Sequence, residues 1–390
     1  MKTREILNQQ MTRHEFMRTT GQALLGTTVA GLGMSVTIPE ALAKGTSQPG
    51  KGIHSDWPIA EPEEMGLDGN ILNGPLKELL GANKTGASAL VVKGKLVWES
   101  YWDGFGPSSR FDLYSAGKAY AGAAIGLLMD DGNLKIDDPA CRILTEWAAD
   151  ERREITIRHL LTMTSGLKLD YEGFKATSDP TAATLTWPLE RKPGTFWCYE
   201  QATAHALCPI ILRLTGKQPI VFLRERLLNQ IGAVETGWLR SRKGDCLTWR
   251  SVLASARDFC RFGQLFLQNG NWEGRQLLSR KFIQQAIVND PLLGKVSTDP
   301  RQQDFRRRGY GWLMFVNTNG IWEGVDFQGY GFLGAFHNIC LVDPTKEMVF
   351  VRVVTPEDQT HHAQYENALD VTDKGTAQLW RLVLSAFSKG

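Results

Sequence analysis

Ser115 and Lys118 stand one helical turn apart in Leu113-Tyr114-Ser115-Ala116-Gly117-Lys118-Ala119-Tyr120. The residues that follow, Ala119 to Met129, are rich in Ala, Leu and Ile with no breaker before Gly132, which predicts a buried helix. A serine in the first turn of such a helix points its hydroxyl along unpaired backbone N–H groups and the positive end of the helix dipole. Lys118 shares that face and lies within reach of the hydroxyl. A desolvated ammonium has a lowered pKa and can help deprotonate the serine, so the pair reads as a nucleophile with its base. The same spacing recurs at Ser165-Gly166-Leu167-Lys168. There the serine follows the apolar stretch His159 to Met163 and Gly166 reads as a helix stop, so the dipole does nothing for that hydroxyl.

Acyl transfer also needs a proton carrier for the leaving group and donors for the oxyanion. Pro193-Gly194-Thr195-Phe196-Trp197-Cys198-Tyr199-Glu200-Gln201 carries Tyr199 from a Pro-Gly turn to the start of a helix expected from Ala202. A phenol held near positive charge ionises below its usual value of about 10, which suits a relay; a packed aromatic is the other reading of Tyr199. No G-x-S-x-G elbow surrounds any serine, which disfavours a Ser-His-Asp hydrolase. His159 and His205 fall in helical patterns and read as structural, and His361-His362 as a surface pair. Six cysteines (Cys141, Cys198, Cys208, Cys246, Cys260, Cys340) show no metal-ligand spacing. Buried free thiols are expected, with no metal and no cofactor.

The elements that must position these groups come from both ends of the chain. Ser88 to Trp98 reads as a hairpin around Lys93-Gly94-Lys95. From Ala116 to about Asn269 helical patterns dominate: Ile157 to Met163, Ala202 to Leu214, Ile220 to Leu228 and Ala254 to Leu267. Strand patterns return at Tyr310 to Val316, Asn338 to Val342 and Met348 to Val354, with Asp343-Pro344-Thr345-Lys346 as the turn between the last two. A helix from about Thr376 to Phe387 closes the chain. The expected fold is α/β of the α+β kind: an antiparallel sheet assembled from the two ends, flanked by helices, with a mainly helical insertion over residues 116–300 inside a single domain of residues 61–390.

The 390 residues are 42% hydrophobic and 22% charged, an ordinary globular composition, and a net charge of +2 gives no reason to invoke nucleic acid. Residues 1–43 read as an export signal: basic residues up to Arg18, a mildly apolar run from Ala23 to Ile38, and Ala41-Leu42-Ala43 as a cleavage site. Thr12-Arg13-His14-Glu15-Phe16-Met17-Arg18 resembles a twin-arginine signal with His14 in place of the second arginine. An amphipathic or disordered arm is the alternative. Residues 44–60, with Gly, Ser and Pro, read as a loose lead-in. No later stretch is apolar and long enough to span a bilayer, so a soluble periplasmic or secreted protein is expected. The sequence says nothing about oligomeric state.

Taken together, several segments resemble the serine β-lactamase and penicillin-binding-protein superfamily, and within it the class C β-lactamase-like esterases and amidases, including the 6-aminohexanoate-dimer-hydrolase-like branch. Ser115-Ala116-Gly117-Lys118 matches the first motif. Leu134 to Pro139 and Ile157 to Leu167 resemble the stretches that follow it, Pro193-Gly194-Thr195 resembles the approach to the Tyr-x-Asn motif, and Ala254 to Gly263 is similar to a helix of the family. The resemblance spans roughly residues 57–388. It implies a β-lactamase/transpeptidase-like fold and an acyl-enzyme mechanism in which Ser115 attacks, Lys118 activates and Tyr199 relays the proton. Lys84-Thr85-Gly86 and Tyr365-Glu366-Asn367 spell the third and second motifs in the wrong chain order. By resemblance, Gly329-Tyr330-Gly331 takes the place of the third motif, which puts the oxyanion donors at the backbone N–H of Ser115 and Phe332. Gln201 replaces the usual asparagine. Gln201, Gly329, Tyr330 and Gly331 are thus the expected substrate-binding residues.

The third motif of the β-lactam-binding enzymes carries a lysine, and its loss removes a charge-assisted contact worth about 1.5–3 kcal/mol. A neutral small-molecule ester or a small amide therefore fits better than an anionic β-lactam. Two other activities share these motifs: a binding protein that has lost turnover, and a D-Ala peptidase, transpeptidase or weak β-lactamase.

Overall fold

Strands from the two ends of the chain meet in one antiparallel sheet. The computed structural model describes residues 57–302, 309–317, 329–355 and 373–387. β1 (Thr85–Val92) and β2 (Lys95–Tyr101) form the expected hairpin. β3 (Phe315–Val316), β4 (Tyr330–Gly334), β5 (Asn338–Asp343) and β6 (Met348–Val354) come from the other end, in the spatial order β3-β4-β5-β6-β1-β2. β1 and β6 pair along almost their whole length and are buried throughout. Continuous apolar runs such as Ala89-Leu90-Val91-Val92 and Met348-Val349-Phe350-Val351 suit strands covered on both faces. Arg352 is buried in this seam, with its guanidinium satisfied by Thr85 Oγ1 at 2.9 Å and the His337 carbonyl at 3.0 Å.

The helical layer holds α1 (Lys118–Asp130), α2 (Ile157–Leu161), α3 (Gln201–His205), α4 (Leu207–Thr215) and α5 (Ala256–Leu267), and α6 (Asp373–Ser385) closes the fold. α1 is buried all round from Lys118 to Leu128, as its unbroken apolar sequence requires. α5 lies on β1, β5 and β6, with Phe259, Phe262 and Phe266 packed on Phe332 of β4. Ser255 caps α5 through the Asp258 N–H at 3.1 Å. His159 completes a capping box with Thr156 at the start of α2. His205 is buried, and burial pushes its imidazole down to about 3.

Some expectations change. Residues 57–60, expected to be loose, extend the sheet beside β2: the Leu96 N–H donates to the Pro58 carbonyl at 2.8 Å and the Trp57 indole to Gly94 at 2.9 Å. Burying Trp57 while covering an edge strand favours this docking. The insertion is mainly helical, but two of its segments, Val252–Ala254 and Gly237–Trp238, form a small antiparallel sheet with Phe111–Asp112, which precedes it. The strand expected over Tyr310 to Val316 is reduced to β3, because the Gly311 N–H donates to the Met314 carbonyl and Leu313 turns to a φ of 60°. All six cysteines are free thiols, and all but Cys141 are buried. Among the described residues no single helix is long and apolar enough to cross a membrane, and no cluster of His, Cys, Asp or Glu could hold a metal. The proposed export signal, His361-His362 and Tyr365 to Asn367 lie outside the described residues.

Candidate active site

Ser115 sits in a 3₁₀ turn, Tyr114–Gly117, that runs directly into α1. Tyr114 enters this turn at a φ of 49°, a left-handed conformation that costs an aromatic residue about 1–3 kcal/mol. Its surroundings hold it there. Asp112 Oδ1 accepts from the Tyr114 N–H at 2.7 Å, and the Ser251 N–H donates to the Tyr114 carbonyl at 3.1 Å. Ser251 Oγ donates in turn to Asp112 Oδ2 at 3.0 Å. The strain presents the serine at the N-terminal end of α1, where the helix dipole is positive.

Lys118 is 1% exposed, and its Nζ lies 3.1 Å from Ser115 Oγ and 4.6 Å from the centre of the Tyr199 ring. The fold thus brings Ser115, Lys118 and Tyr199 together. The second Ser-x-x-Lys does not form a pair: Ser165 Oγ is 2.5 Å from Thr203 Oγ1, while Lys168 Nζ turns to Asp170 at 3.1 Å. Thr85, from the out-of-order Lys84-Thr85-Gly86, serves Arg352 inside the sheet.

Tyr199 is held from both sides. Gln302 accepts from its N–H at 2.7 Å and donates to its carbonyl at 3.1 Å. This amide continues a short parallel ladder in which the Ser297 N–H bonds to Thr195 and the Asp299 N–H to Trp197. Past Asp299 the backbone turns, and the Gln302 side chain takes the next rung. Glu200 is buried and caps α3 through the N–H groups of Ala202 and Thr203, at 2.7 and 2.8 Å. Burial pushes its carboxyl up to about 7 against those donors. Gln201 opens α3, buried, and its Oε1 has no hydrogen-bond donor among the described residues.

The expected role of β4 needs correction. The Gly329 carbonyl accepts from Asn317 N–H on the β3 side at 2.8 Å. Backbone groups of an antiparallel strand alternate in direction. Those of Tyr330 and Phe332 therefore face β5, where Phe332 lies opposite Cys340. The Phe332 N–H is thus committed to the sheet and not available to an oxyanion. Tyr330 is 2% exposed beside Phe332 in the core, and Gly331 faces Leu341, so among the described residues Gly329-Tyr330-Gly331 packs as sheet and core.

The strand meets the nucleophile three residues later. A Cβ on Gly334 would come within 2.1 Å of the Leu113 carbonyl, a contact only glycine permits. Gly334 is extended (φ −115°, ψ 165°), so the alternation continues and turns the Ala335 N–H past the end of β3. Ala335 is exposed and opens a 3₁₀ turn, Ala335–His337, where a first N–H has no partner within the turn. Phe336 beside it meets the Tyr114 ring edge-on at 4.9 Å.

Comparison with known proteins places the chain in a family. A family model described as Beta-lactamase matches residues 76–372. The 6-aminohexanoate-dimer hydrolase of Paenarthrobacter ureafaciens is 23% identical over 304 residues, 70% of this chain and 74% of that protein. An uncharacterized protein of Alkalihalophilus pseudofirmus is 24% identical over 226 residues, half of this chain, but the match spans only 62% of that protein. Among solved structures, a penicillin-binding-protein homologue from Caulobacter crescentus superposes with a TM-score of 0.58 at 19% identity, covering 77% of this chain and 94% of that one.

Proposed function

The chain belongs to the Beta-lactamase family, and from that premise we propose that it is a serine hydrolase that cleaves a small amide or carboxylic ester through an acyl-enzyme. The observation that carries this reading is the 3.1 Å contact between a buried Lys118 ammonium and the Ser115 hydroxyl. Ser115 Oγ attacks the carbonyl carbon while its proton passes to the Lys118–Tyr199 pair. The tetrahedral oxyanion is held by the N–H groups of Ser115 and Ala335. Collapse breaks the bond to the leaving group, which takes the proton by way of Tyr199. Water then attacks the acyl-serine, giving its proton back through the same pair, and the carboxylic acid leaves.

The orphan Gln201 Oε1 favours an amide, because an N–H from the substrate would satisfy an acceptor that an ester leaves unpaired. The Paenarthrobacter ureafaciens relative is named a 6-aminohexanoate-dimer hydrolase, and two amino acids joined as a dimer are linked by an amide. We place the enzyme outside the cytoplasm on the strength of its signal-like residues 1–43; N-terminal sequencing of the exported protein would locate the cleavage. The central test is intact-mass analysis after exposure to activated esters and amides. Wild type should gain one acyl group and Ser115→Ala none; equal labelling of both would overturn the assignment.

A further inference from the structure

Arg250 places a cation beside the nucleophile that neither the motifs nor the mechanism uses. Its guanidinium carbon lies 5.4 Å from the centre of the Tyr114 ring and 5.1 Å from that of Trp249. Tyr114 directly precedes Ser115, so this charge sits at the wall of the nucleophile's turn. Nε donates to Ser251 Oγ at 2.7 Å, which leaves the two terminal nitrogens to make other contacts. Arg250 and Tyr199 both act electrostatically on the Tyr171 hydroxyl, so the guanidinium and the proton relay share a neighbour. Tyr171 and Trp249 meet edge to face at 6.2 Å and complete an aromatic collar.

The surroundings do not neutralise this charge well. Among the described residues no carboxylate comes closer to Arg250 than Asp112 Oδ2, at 3.9 Å. Asp112 already accepts from the Tyr114 N–H and from Ser251 Oγ, so its charge is shared among several partners. The Arg250 side chain keeps 21% of its surface exposed. A guanidinium one-fifth exposed, set among aromatic faces and with its counter-ion at 3.9 Å, is suited to taking a carboxylate in charge-assisted hydrogen bonds.

We propose that Arg250 is the counter-charge for a carboxylate carried by the substrate, so that the site takes anionic linear amides or esters ahead of neutral ones. This rests on the serine-hydrolase reading and narrows its substrate class. It is distinct from the third-motif lysine of the β-lactam-binding enzymes, whose place on β4 holds no Lys or Arg between Gly329 and His337.

The test uses two matched ester pairs. On the acyl side, mono-p-nitrophenyl adipate is compared with p-nitrophenyl hexanoate; on the leaving-group side, 4-acetoxybenzoate with 4-methylphenyl acetate. Wild type should prefer the anionic member of at least one pair. Arg250→Gln should lower kcat/KM for that member at least tenfold more than for its neutral partner, mainly through KM, and Arg250→Lys should keep part of the preference. The pair that responds tells which side of the scissile bond faces Arg250. A wild-type enzyme that prefers the neutral member of both pairs overturns the inference, and this result needs no variant. So does an Arg250→Gln enzyme that slows all four esters equally, since that marks Arg250 as mere support for the turn. If no ester acylates Ser115, the serine-hydrolase reading itself fails.

Discussion

The hydroxyls of Ser115 and Ser165 belong to identical four-residue patterns, and only their neighbours separate them. Ser115 has a buried ammonium at 3.1 Å, whereas Ser165 is tied to Thr203 and has lost its lysine to Asp170. Ser115→Ala should therefore abolish covalent labelling and turnover with the fold intact, while Ser165→Ala keeps most activity. Peptide mapping of the labelled enzyme decides between them. Lys118→Ala and Tyr199→Phe should each lower kcat by about 10²–10⁴-fold, the range of general acid–base terms. Their double variant should fall little further, because the two groups move one proton together. A Tyr199→Phe enzyme with nearly full kcat would remove Tyr199 from the relay. These three residues were legible in the sequence because a helix start fixes the geometry of Ser-x-x-Lys and a Pro-Gly turn announces Tyr199. Arg250, Ser251 and Gln302 were not, since each meets the site only through pairings between distant segments.

At the scale of elements, strand register decides which backbone donors reach the nucleophile. Gln328 to Phe336 contains three glycines, and the sequence offers no means of choosing which one abuts the serine. The pairing of β4 with β3 and β5 selects Gly334 and hence Ala335. Ala335→Pro deletes that N–H at the first position of a 3₁₀ turn, after an extended residue, where proline is tolerated. The expected outcome is a loss of about 10²–10³-fold in kcat with an unchanged melting temperature. The cap of α3 yields a pH prediction. Glu200 titrates at about 7 when folded against 4.5 for the free side chain, chiefly because it is buried. As pH rises from about 4.5 to 7 the unfolded chain gives up this proton first, so the contribution of Glu200 to stability falls across that window and levels off above it. Glu200→Gln should therefore flatten the pH dependence of the urea midpoint between those values. A variant curve parallel to wild type would show that Glu200 does not titrate there.

At the scale of the molecule, a sheet closed by strands from both chain ends carries one edge of the cleft, and the helical insertion carries the nucleophile. That layout was legible because the first hairpin and the Asp343-Pro344 turn have strong local signatures. The chemistry along the cleft edge was legible only in part: the absence of a cation holds for any register of β4, whereas the placement of Tyr330 in the cleft was overturned by its burial. The bicyclic frame of a penicillin fixes its carboxylate close to the scissile bond. The end of β4, where relatives meet that carboxylate with a lysine, offers no cation here, and Arg250 stands on other elements, beside Tyr114 and Trp249. The enzyme should consequently hydrolyse p-nitrophenyl acetate with a higher kcat/KM than benzylpenicillin, the missing contact at β4 alone accounting for about tenfold or more. The reverse order in a steady-state comparison would mean that a cation does meet the β-lactam carboxylate, and Arg250→Gln would then show whether it is this one.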